Sequence, residues 1–207
     1  MLEHIPHWLG SALGNVRAGH NKLTIVQEDM ELGDVDIELS SPAFAMNQPI
    51  PLRYTADGEG ISPPLSWEHV PPGTQSLALI VEDADSPSPQ PLVQAIYWNL
   101  PSSERYLSEG AIREDGRGSL DGRDVGRNSY LVEGWLPPDP PTGHGPHDYV
   151  FQLFALKDTP DLGETPGRSA FVSAIKGRIL GAGILVGTYE RGARERVSPD
   201  GATMAPA

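Results

Sequence analysis

The chain of 207 residues contains no cysteine. Disulfides, thiolate nucleophiles and cysteine-ligated zinc are therefore excluded. Positive charge is scarce: 15 Lys and Arg stand against 28 Asp and Glu, giving a formal net charge of −13 and a pI near 4.7. This argues against nucleic-acid binding, which depends on basic side chains neutralising phosphates, and against broad attraction to an anionic membrane. No apolar run approaches the roughly 20 residues of a membrane span. The opening MLEHIPHWLG lacks the basic and apolar regions of a secretory signal, so cytoplasm is the expected location.

Glycine and proline are abundant, at 23 and 21 residues, and favour many turns over long helices. Hydrophobic residues make up 38% of the chain, enough for one sizeable core. Three stretches are expected: a helical extension over residues 1–33, a β domain over 34–192 and a frayed tail over 193–207. In the first, Ile5, Trp8, Leu9, Ala12, Leu13 and Val16 recur at helical spacing. That face needs cover, either from the domain or from a second copy in a homodimer. Membrane docking is the weaker reading, with only Arg17 and Lys22 as nearby basic residues.

From Asp34 the period changes to two. DVDIEL alternates, and SLALIVED, VQAIYWNL, YVFQLFAL and GILVGTY are β-branched or aromatic runs of strand length. Short strands with Pro/Gly connections predict a sandwich or barrel. Phe171, Ile175 and Ile179 at i, i+4 and i+8 predict a late amphipathic helix ending at Gly181.

Ionisable groups collect at strand ends: Asp83 and Asp85 in EDADSP, and His147 with Tyr149 in GPHDYVF. The same stretches belong to a longer pattern: SPAF (41–44), IPLRYTADGEGISPPLSW (50–67), VPPGTQSLALIVEDADSP (70–87), YWNLP (97–101), GRNSY (126–130), PPTGHGPHDYVFQLFAL (140–156) and GTYER (187–191). In this order the pieces resemble the phosphatidylethanolamine-binding protein family, whose bacterial branch is called Raf-kinase-inhibitor-like. The resemblance implies an antiparallel β-sandwich with peripheral helices, here the N-terminal one and the late one. It also implies a small anion site lined by Asp83, Asp85, Pro141, His147 and Tyr149, and a cis bond at Ser86–Pro87 that would stiffen the carboxylate-bearing turn.

One position departs from the family. Gln94 stands where a histidine usually opens the strand ending in WNLP. A glutamine amide still donates a hydrogen bond, but it cannot become cationic, and charge-assisted hydrogen bonds are roughly twice as strong as neutral ones. Weaker anion binding, or a different ligand, is the expectation. Two bare aspartates would repel an anion, so donors must outnumber them: His147, the Tyr149 hydroxyl and N–H groups of the TGHG turn. An aspartate could orient His147 and favour its charged form, or it could face the ammonium of a zwitterionic headgroup.

Other chemistries fit less well. His144 and His147 with Asp83 and Asp85 have metal-ligand types, but His-x-x-His here lacks a helix to align both rings. No Gly-x-Ser-x-Gly elbow is present, DGRGSLDGRD misses the calcium-loop spacing, and GAGILVG misses the dinucleotide fingerprint. The expectation is therefore a non-enzymatic binding protein without cofactor or metal, taking a small anion or phosphorylated phospholipid headgroup. An inhibitor of a serine protease or kinase, acting through the polar loop 110–127, is the alternative. A hydrolase using Asp85 or His147 as base is the third class.

Overall fold

Alternate residues of SLALIVED face different cores. Ala78 and Ile80 pack into one buried cluster, whereas Leu77, Leu79 and Val81 pack into another. A strand shows this pattern only when both faces of its sheet are covered. The computed structural model describes residues 19–27, 29–113 and 124–192. Along them run β1 (Val35–Asp36), β2 (Glu38–Ser40), β3 (Gln48–Pro49), β4 (Leu65–Glu68), β5 (Ser76–Asp83), β6 (Leu92–Pro101), β7 (Tyr106–Leu107), β8 (Asp124–Val125), β9 (His147–Leu156), helix α1 (Arg168–Ile175) and β10 (Ile179–Tyr189).

The larger sheet runs β1-β10-β9-β5-β6-β8, with β3 also on β10; the smaller runs β2-β4-β7. The larger sheet is mixed, where the resemblance implied antiparallel pairing throughout: β1 and β3 lie parallel to β10. Each is two residues long, so the chain touches that edge twice and leaves. DVDIEL, one strand by its alternation, is two in the structure. Val35 and Asp36 pair with β10, Ile37 is buried at the crossing, and Glu38–Ser40 pair with β4 in the other sheet.

Helix α1 and the segment 20–26 cover one face of the large sheet. Phe171, Val172 and Ile175 meet Ile80, Ile96, Val150 and Phe154 there. Fully burying an aliphatic or phenyl side chain of this kind contributes about 1.5–3 kcal/mol. The helix stops at Ile175, not near Gly181, because Gly177 takes a φ of +67° that other residues resist. Ile179 continues the apolar period only because β10 returns it to the same cluster.

Leu23 and Ile25 are also in this cluster, so the core begins before Asp34. Two 3-10 turns, His20–Lys22 and Thr24–Val26, are held by a polar anchor. Glu82, with no exposed surface, accepts from the Thr24 N–H at 2.7 Å, from Gln152 Nε2 at 2.7 Å and from Arg168 Nε at 2.6 Å. Gln152 Oε1 accepts the Ile25 N–H at 2.8 Å. A carboxylate within a core is tolerated when its oxygens are paired in this way. The apolar face over residues 5–16, the tail 193–207 and most of the loop 110–127 lie outside the described residues. No helix among the described residues is long and apolar enough to cross a membrane.

The second cluster takes residues from both sheets: Leu39, Leu65, Trp67 and Leu107 from the small one, Tyr97, Phe151, Leu153 and Leu185 from the large one. Asp83, His147 and Tyr149 lie on this face, at the end where β5 finishes and β9 begins.

Candidate functional site

Antiparallel pairing delivers the site. β5 and β9 align so that Asp83 stands opposite Tyr149, while β10 places Tyr189 opposite His147. His147 and Tyr149 are two apart on one strand and so share a face, with ring centroids 6.4 Å apart. His147 Nδ1 donates to Asp83 Oδ2 at 2.8 Å, and both residues are buried. The other oxygen of Asp83 accepts the Asp85 N–H at 2.9 Å. Asp85 Oδ2 in turn accepts the Asp148 N–H at 2.7 Å, tying the turn after β5 to the start of β9.

The aspartates therefore accept from the protein's own N–H groups. Asp83 fixes the His147 ring and its tautomer. The turn itself needs no cis bond: among the described residues none is cis, so Ser86–Pro87 is trans. The turn is closed by side chains instead, with Ser86 Oγ 2.9 Å from Ser88 Oγ and accepting the Leu92 N–H at 3.3 Å.

The Tyr149 hydroxyl is buried and its O–H meets no acceptor; the Asp139 backbone N–H, itself a donor, faces its oxygen. Burial first, then the negative charges of Asp83 and Asp139, push its pKa well above the ordinary tyrosine value. It remains a neutral O–H donor at every physiological pH. Beside Tyr149 on β10 is Gly187, where a Cβ would come within 2.6 Å of Ile50 and 2.7 Å of Phe44. Glycine is needed there for the close approach of these two side chains.

Gln94 is buried on β6 at an irregularity in the β5–β6 register, between the pairs Val81–Ala95 and Glu82–Val93. Its Oε1 also lacks a partner. Pro141 is exposed and contributes its carbonyl, which accepts the His144 N–H at 3.1 Å and closes the turn 141–144. Gly143, at φ +80°, occupies the third position of that turn, as a type II turn requires. The His144 N–H is thus used by the turn itself.

Two features were not anticipated. His144 reaches His147 despite the absence of a helix: its Nδ1 lies 2.8 Å from His147 Nε2, with ring centroids 5.0 Å apart. The second is a bracket behind the site. Arg191 donates to both oxygens of Asp57 and pairs with Asp139, and the Tyr189 hydroxyl also donates to Asp57. These contacts join YTADGEG, PPDPP and GTYER, and they steady the strap 137–141 beside Tyr149. A separate group with metal-ligand chemistry, Glu38, Glu68 and His69, is exposed on the small sheet, its ligand atoms within 4.8 Å of one another. Glu38 and Glu68 are cross-strand neighbours, and His69 Nδ1 lies 3.6 Å from Glu38.

Residues 40–190 match the family described as phosphatidylethanolamine-binding protein. A UPF0098 protein of Methanothermobacter thermautotrophicus is 39% identical over 75% of this chain and 100% of its own. A crystal structure of a phosphatidylethanolamine-binding protein homologue from Chlamydia trachomatis is 34% identical, with a TM-score of 0.68 over 76% of this chain and 99% of that one. Escherichia coli YbcL, 26% identical, gives a TM-score of 0.70 over 75% of this chain and 99% of its own. The fold and the match across the site define a phosphatidylethanolamine-binding-type protein. The chain belongs to the phosphatidylethanolamine-binding protein family.

Proposed function

We propose that this protein is a non-enzymatic binding protein whose site takes a small phosphate-like anion, free or as a phosphorylated headgroup of the phosphoethanolamine type. The observation that carries this reading is the Tyr149 hydroxyl: a buried, permanently protonated donor without an acceptor, beside an imidazole that Asp83 holds in place. A buried donor left unsatisfied costs about 1–3 kcal/mol, which an anionic acceptor recovers. Binding is favoured over hydrolysis because both oxygens of Asp83 already accept from N–H groups, and Asp85 Oδ2 holds the backbone of Asp148. Neither aspartate is presented as a general base.

Calorimetric titration of inorganic phosphate and of O-phosphoethanolamine into wild type and Tyr149→Phe tests this reading. Both ligands should bind wild type, and the variant should lose about tenfold or more, since a hydrogen bond to a charged group is worth about 1.5–3 kcal/mol. Preference for phosphoethanolamine would assign the ammonium a role. Absence of binding by either ligand, or turnover of generic phosphoesters, would overturn the proposal.

A further inference from the structure

His147 is 1% exposed, and its two ring nitrogens are both engaged, Nδ1 by Asp83 and Nε2 by His144. His144 is exposed, on a turn flanked by Gly143 at φ +80° and Gly145 at φ +89°, with nothing within 4 Å of where either Cβ would stand. These glycines serve backbone conformation, and the conformation they permit sets one imidazole over the other.

The proton count along this chain has three solutions that keep both hydrogen bonds, one neutral and two with a single added proton. In all three, His147 Nδ1 carries a proton because Asp83 accepts from it. If the pair is neutral, His144 Nδ1–H donates to His147 Nε2, and the outer nitrogen of His144, Nε2, is left with a lone pair. If the pair takes up one proton, either ring can hold the charge, and the Asp83 carboxylate against Nδ1 favours His147, which becomes an imidazolium that donates from Nε2 to His144 Nδ1. The outer nitrogen of His144 then carries N–H. The neutral pair presents an acceptor outward and the protonated pair presents a donor, with the positive charge held behind it against Asp83.

We propose that His144 is a ligand-contacting residue of this site, presenting its Nε2–H to the bound anion while the His144–His147 pair takes up one proton. This inference rests on the anion-binding reading above and adds the residue and the proton that complete it. No bond other than N–H is made or broken: solvent supplies the proton, which resides on His147 in the complex. The other ionisable groups around the pair already have partners. Asp85 holds the Asp148 N–H, the Asp148 carboxylate lies 3.2 Å from His20 Nε2, and Asp139 pairs with Arg191.

Inorganic sulfate is the probe, because it is a tetrahedral dianion with no proton of its own to exchange near neutrality. Imidazole nitrogen NMR of 15N-histidine-labelled wild type, with His144→Ala for assignment, should show neutral His144 as the Nδ1–H tautomer without sulfate. With sulfate it should show the Nε2–H tautomer, while His147 becomes doubly protonated. In calorimetry, sulfate should bind His144→Ala about tenfold more weakly; the exposed turn position leaves folding intact, which circular dichroism verifies. Sulfate binding that leaves the His144 tautomer unchanged, or an affinity in His144→Ala equal to or above wild type, overturns this inference alone. Wild type that takes up neither sulfate nor phosphate overturns the anion-binding reading and this inference together.

Discussion

Asp83 and His147 are 64 residues apart in the chain and 2.8 Å apart in space. Asp83 spends one oxygen on the imidazole and the other on the Asp85 N–H. An asparagine has a single oxygen and cannot serve both. Asp83→Asn should therefore leave one buried donor unpaired, lowering unfolding free energy by about 1–3 kcal/mol in urea titrations. It should also weaken anion binding, because the charge that favours imidazolium is lost. Unchanged stability together with unchanged phosphate affinity would contradict this account of Asp83.

On the opposite face of the same strand, Glu82 is held by Arg168, Gln152 and the Thr24 N–H. Arg168→Ala should be strongly destabilising, by about 3 kcal/mol, because it strands a buried carboxylate. Adding Glu82→Gln should recover part of that loss: a neutral amide removes the charge while its oxygen still accepts from the Thr24 N–H. A double-mutant cycle by urea unfolding measures the coupling, and additive losses would show that the two side chains do not depend on each other.

How much of the fold and the site is legible in the sequence depends on whether the signal is local. The apolar runs of β5, β6, β9 and β10 declare themselves because burial on both faces leaves no polar interruption for most of their length. Asp83, His147 and Tyr149 were legible as motif members at strand ends. The His144–His147 contact is not legible because His-x-x-His aligns two rings by period only on a helix; here a turn with two positive-φ glycines brings them together by another route. Arg191, Asp57 and Asp139 come from three separated loops, and nothing in any one segment announces the other two. The segment 20–26 shows no helical or strand period since its anchor is a buried carboxylate 58 residues away from Thr24. The end of α1 is ambiguous in the sequence because two glycines, 177 and 181, can stop it, and only backbone conformation chooses between them.

The bracket behind the site should give stability a distinct acid dependence. Hydrogen bonds from Arg191 first, then from Tyr189, hold the Asp57 carboxyl below the ordinary aspartate value of 3.8. A carboxyl depressed on folding contributes stability that is complete above its unfolded value and is lost as pH falls through the folded one. The Asp57 contribution should thus be intact above about pH 5 and fade below about pH 4. Asp57→Asn should lower stability near pH 7 and narrow the gap to wild type at pH 3, as followed by thermal unfolding across pH. A gap that stays constant with pH would remove Asp57 from this role.

Gln94 offers the converse experiment, a gain. Its Oε1 is buried without a partner, so the fold draws nothing from that atom, and replacing it should cost little stability. A histidine at this position would add a donor that becomes cationic as pH falls through the ordinary histidine range, near 6.5. Exchanging a neutral for a charge-assisted hydrogen bond is worth about 1 kcal/mol, or roughly fivefold in affinity. Gln94→His should therefore bind phosphate about fivefold more tightly at pH 6, with the gain largely gone at pH 8 where the imidazole is neutral. Calorimetry at both pH values separates a cation effect from a change of shape: equal gains at both would assign the benefit to packing, and no gain at either would place residue 94 outside the anion's reach.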